Sequence, residues 1–264
     1  MRFLQILAIV LTQLSISSLL ITSVVSPATI RQGFFRFQCL VCGLSASLAL
    51  LITKFIAEGT WRDVRFLAFT ILGAVFGYTA FRFDRPVLGR FFMIMAGLLG
   101  VVFGLLPLAG RTLAQWGIRT KAMVFFDGGF LLGAALIGTT FVSLVLAYGY
   151  RALRNPTDPV LLWLVEGMLV AAGLRAVMLV TTLVLLGGSD PALARELIAP
   201  LRTDPAQFWV LVLRIATGLA VPALFGVRVV QRIREQDYER ASRGLLVAGA
   251  GVFLGECCAV HLLV

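Results

Sequence analysis

The 264 residues are 59% hydrophobic and 14% charged, with a mean hydropathy of +0.97; a soluble domain carries about a quarter charged residues, so a water-soluble globule is excluded. The apolar residues fall into runs long enough to cross a hydrocarbon layer of about 30 Å, which predicts an all-α, polytopic transmembrane helix bundle. The net charge of +10 does not point to nucleic acid, because the cations are scattered over short segments between apolar runs; anionic lipid headgroups match that distribution better.

A single transmembrane domain over residues 1–264 is expected, with eight spans at about 3–25, 34–57, 64–81, 87–109, 123–150, 159–187, 207–230 and 243–263. The first span follows Arg2. It is longer than a usual signal-peptide core and its Ser23–Ser26 stretch is a poor cleavage site, so it reads as a retained helix. The second carries Cys39 and Cys42 as a CxxC four residues into the helix. In an aqueous loop that spacing would suggest redox or zinc chemistry; inside a span, inert small core residues are the expectation. Glycine pairs four apart follow at Gly73 and Gly77, Gly100 and Gly104, and Gly129 and Gly133, with a further pair at Gly251 and Gly255. They let helix backbones approach closely, and intramolecular packing is preferred over a dimer interface.

Near the start of the fifth span, Asp127 precedes Gly128 and Gly129, and a helix-capping role is preferred over cation binding. The sixth span holds Glu166 and Arg175, nine positions or about 900° apart, so they face opposite sides of one helix. The longest connection, about 188–206, suggests a short interfacial helix around 192–198. The seventh span carries Arg214 and a kinking Pro222. The eighth carries Glu256, Cys257, Cys258 and, near its end, His261, the only histidine. One histidine excludes bis-histidine haem ligation by this chain alone. The two cysteine pairs differ in depth by roughly 15 Å of helical rise and are not expected to share a metal. No internal repeat is visible in the sequence.

Ionisable groups within a bilayer are costly and are functional candidates by default. Arg214, Glu256, Arg175 and Glu166 form the expected buried charge network, with Asp127 and His261 as secondary candidates. Arg214 and Glu256 lie at matching depths on consecutive antiparallel spans, which suggests an ion pair between them, with Arg175 near the middle of its span reaching towards both if the sixth helix joins them; a site is expected among the last three helices towards the side where both termini emerge. Nine Lys and Arg residues fall on that side and twelve on the other, a bias that puts both termini outside the cell's inner (plasma) membrane.

Within the last span, Gly251-Val252-Phe253-Leu254-Gly255-Glu256 resembles the last helix of the eight-helix quinol-linked membrane anchor subunits of the DMSO reductase and polysulfide reductase type. The resemblance covers about twenty residues, and Cys257, Cys258 and His261 stand where those anchors often continue with an arginine. It implies an integral membrane subunit of a respiratory or photosynthetic electron-transfer complex. Such a subunit anchors or scaffolds redox partners and shares quinone, lipid or pigment with other integral membrane subunits. Catalysis by the chain on its own is not expected. A secondary transporter or proton-coupled permease is the alternative, motivated by the same buried charges and Pro222.

Overall fold

The computed structural model describes residues 2–56, 61–108, 121–151, 159–189 and 205–262; all regular structure among them is helical. Among the described residues, eight helices are long and apolar enough to cross a membrane, at the eight places expected. These are α1 (Arg2–Val24), α2 (Gln32–Leu51, with a π turn at Ile52–Ile56), α3 (Trp61–Arg82) and α4 (Pro86–Gly100, with a π turn at Val101–Leu105). They are followed by α5 (Lys121–Arg151), α6 (Val160–Ser189), α7 and α8 (Tyr238–His261). α7 comprises Pro205–Ile215, a π turn at Ala216–Ala220 and Val221–Arg234. The interfacial helix suggested at 192–198 lies outside the described residues.

Exposure is inverted relative to a soluble protein, as lipid demands. Leu44, Val87 and Trp209 are more than half exposed, whereas Gln13, Ser18, Gln38 and Glu256 are almost wholly buried. Polar side chains are taken inside because hydrocarbon offers them no partner.

The helices form two rings of four. α1 packs on α2, α2 on α3, α3 on α4 and α4 back on α1; α5 to α8 close the same circuit. α1 joins the rings by packing against α5 and α8 as well. A four-plus-four arrangement is thus present in the topology although no repeat is legible in the sequence. The α3–α4 and α7–α8 hairpins even share one turn. Each has a residue in the left-handed region, Asp84 at φ 53° and Gln236 at φ 60°. In each, the next residue's N–H donates back across the helix end, Arg85 to Ala80 and Asp237 to Arg232, both at 2.9 Å. This is the Schellman closure, and neither position uses the glycine that usually announces it.

α7 and α8 extend past the expected 207–230 and 243–263 until only three residues separate them. Their polar ends sit beyond the apolar runs that defined the spans, held by Asp237, whose side chain accepts from the Arg240 N–H at 3.0 Å and caps α8.

Of the expected glycine pairs, all but Gly129 pack within the chain; Gly129 has open space around it. A side chain at Gly73 would strike Ala96 of α4, and one at Gly255 would strike the backbone of Gly218 in the α7 π turn. The π turn ends two residues before Pro222, where a missing N–H and the ring force the ladder to re-register.

A buried charge cluster as the candidate functional site

The Gly251–Gly255 stripe of α8 fixes what Glu256 faces. Gly251 lies against the Thr217 carbonyl and Val221 of α7, and Gly255 against Gly218. Glu256, one residue or about 100° further round α8, is therefore turned from α7 towards the interior of the second ring. There it forms an ion pair with Arg175 of α6, through Arg175 Nη1 and Glu256 Oε1. Arg175 is 4% exposed and Glu256 1%. The carboxylate rests on the bare backbone of α5 at Gly133, where a side chain would meet Oε2 at 2.7 Å and Oε1 at 2.8 Å.

The expected Arg214–Glu256 pair is corrected. Matching depth was right, but depth does not set the direction in which a side chain points. Arg214 stands within electrostatic reach of Arg175, Glu256 and Cys258. Among the described residues no carboxylate closes an ion pair with it. The cluster thus brings two guanidinium groups to one carboxylate, with Arg175 and Glu256 buried and Arg214 half-buried at its edge.

Glu166 does not belong to this network. It lies on the exposed outer face of α6, the half-turn offset from Arg175 that their spacing requires. Asp127 is not a helix cap, because α5 is already formed at Lys121, two turns earlier; its side chain lies outside the described ones. His261 is exposed at the last turn of α8. Cys39 and Cys42 are buried in the first ring, Cys257 and Cys258 half-buried in the second, and all four are free thiols. Among the described residues no three His, Cys, Asp or Glu side chains converge as metal ligands would.

No family model matches this chain, and no curated protein or solved structure matches it either.

Sequence reasoning missed two contributors. One is Gly133, read only as half of a packing pair. The other is a polar spine in α1, where Thr12, Gln13, Ser15, Ser17, Ser18 and Thr22 are all 3% exposed or less, or nearly so at Ser17. Thr12, Ser15 and Ser17 donate to carbonyls of their own helix. Gln13 Nε2 donates across to the Phe130 carbonyl of α5 at 3.4 Å, and Ser17 packs against Gly138. The density of small polar residues in one apolar span was the available signal.

The two halves of α7 differ in burial. The first half of α7, Pro205–Ile215, has no buried residue and presents Phe208, Trp209 and Leu213 outward. Beyond the π turn the same helix buries Pro222, Gly226, Val229 and Ile233 against its neighbours. Arg214 therefore sits on the stretch of α7 that has no buried residue, within electrostatic reach of the Arg175–Glu256 pair.

Proposed function

We propose that the chain is an integral membrane subunit of an electron-transfer complex, and that the Arg175–Glu256–Arg214 cluster receives the polar head of a quinone. The observation that carries this reading is a buried ion pair, with a second arginine in reach, beside a helix segment that opens onto lipid. A lipophilic ring with carbonyl or hydroxyl groups reaches such a place through the membrane, where Arg214 can donate to an oxygen and Glu256 can accept a proton. A quinol, if bound there, would supply two electrons and two protons; Arg214 would orient it and Glu256 would take one proton at a time, the second leaving after Glu256 has released the first, while the electrons would go to redox centres of partner subunits.

Glu166 supports a partner. A carboxylate on the outer face of α6, about 9 Å in from Val160, is costly against lipid unless it snorkels or meets a cation from a neighbouring helix. The half-buried Gly167 and the exposed Gly173 on that helix have open space above them, room for a close helix approach.

Purification from native membranes in mild detergent tests the proposal. Co-elution with redox subunits and with quinone is expected, and Arg214→Gln should lower the quinone content while leaving the assembly intact. A lone monomer without redox subunits would sink the idea.

The two four-helix rings favour a second reading, a proton-coupled permease working between them. Substrate flux in proteoliposomes that is lost in Glu256→Gln would move the assignment there. We place the chain in the inner (plasma) membrane with both termini outside, on the excess of cations at the opposite ends of the spans. A reporter fused after residue 264 that is active only in the cytoplasm should be silent.

A further inference from the structure

A second site lies at the far end of α7 from Arg214 and does not rest on the reading of the charge cluster. Between the last turns of α7 and the first turns of α8 there is a groove of about 260 Å³. α7 contributes Phe225, Arg228, Val229 and Arg232, and α8 contributes Arg240, Arg243, Gly244 and Val247. Both sets have the spacing i, i+3, i+4, i+7, so each is one continuous face of its helix, and the two faces oppose one another.

The groove is graded by depth. Arg232 and Arg240 lie within about 3 Å of the hairpin end by helical rise, Arg228 and Arg243 within about 9 Å, and Phe225 and Val247 about 13 Å in. Its floor is where Gly244 lets α8 close onto Val229, with no room for a side chain at 244. The change from a cationic rim to an apolar interior follows the profile of a phospholipid entering from the interface.

Charge points the same way. Residues 228–243 hold five arginines against three carboxylates, an excess of two positive charges. The carboxylates are held in exposed local pairs: Arg232 with Glu235 at 2.7 Å, Arg240 with Asp237 at 3.3 Å and Arg243 with Glu239 at 2.5 Å. Such pairs stabilise little, and a guanidinium exchanges one readily for a bidentate phosphate. Arg228 lies over the Phe225 ring, 5.8 Å from its centroid, and its side chain lines the groove. Other arginines at this end serve the fold instead. Arg36 donates to the Phe81 carbonyl at 3.2 Å and Arg90 to the Ser23 carbonyl at 2.6 Å, closing the ends of α3 and α1.

We propose that the α7–α8 groove is a binding site for an anionic phospholipid, its phosphate among the four arginines and an acyl chain along Phe225, Val229 and Val247. Native mass spectrometry of the detergent-purified chain, titrated with phosphatidylglycerol or phosphatidylcholine, tests it. Phosphatidylglycerol should be retained at least about tenfold more tightly than phosphatidylcholine, and the Arg228→Gln, Arg243→Gln double variant should lose most of that preference. Val247→Trp keeps every arginine but fills the groove, and should weaken phosphatidylglycerol binding by a similar factor. Equal retention of the two lipids, or a preference unchanged in both variants, would overturn the proposal. So would displacement of phosphatidylglycerol by millimolar inorganic phosphate, which would mark a bare anion site, or a co-purifying protein that occupies the groove and excludes lipid.

Discussion

The Arg175–Glu256 pair is the interaction at which a single substitution has the clearest consequence. Removing one partner from a buried ion pair leaves the other uncompensated, at a cost of about 3–5 kcal/mol, whereas replacing both by apolar residues of similar volume is near neutral. Glu256→Ala should therefore lower unfolding stability in detergent by about 3–5 kcal/mol, and Arg175→Met with Glu256→Leu should recover most of it. Independent, additive losses in the double variant would show that the two groups do not act as a pair. The cysteines separate by burial. A membrane-permeant maleimide should label Cys257 and Cys258 in the folded protein and reach Cys39 and Cys42 only on unfolding, since the latter are each 1% exposed. Glu166 shows the limit of reading residues singly. Its identity and depth made it a candidate, and its azimuth on α6 took it out of the interior.

At the scale of the helix, α7 and α8 behave as one unit built on a backbone contact. Gly255 meets Gly218 inside a π turn, so neither helix can slide or separate without losing the approach that aims Glu256 inward. Gly255→Leu should force the pair apart and destabilise by at least about 1–3 kcal/mol, as overpacking does. Gly173→Ala, on the exposed face of α6 with open space around it, should stay within about 0.5 kcal/mol of the parent. Thermal unfolding of the two variants side by side separates a packing glycine from an incidental one. Span positions, helix type and the small-residue stripes were legible because they are periodic properties of local sequence. The helix ends were less so, since at Asp84 and Gln236 the chain reverses through left-handed residues that carry side chains. The π turns were not legible, because they answer the packing of neighbours and the ring of Pro222 rather than a residue pattern of their own.

The described residues form two four-helix rings joined through α1, whose Gln13 and Ser17 reach α5 of the second ring. The fragments 1–108 and 121–264, expressed together, should reassemble and co-purify, because α1 packs on α5 and α8 with Ser17 seated against Gly138. Gly138→Leu should abolish that recovery; fragments that elute separately without the substitution would count against α1 as the joint.

By itself, the sequence determined that the described chain is all-α with eight helices long and apolar enough to cross a membrane, and about where each one runs. Those follow from hydropathy, length and rise per residue, which are additive along the chain. Only the tertiary structure decided that Glu256 meets Arg175 rather than Arg214, that Gly133 gives the carboxylate its seat, and that the helices close into two rings. Each depends on how helices are rotated about their axes and where their backbones cross, and that is set by contacts between residues far apart in sequence.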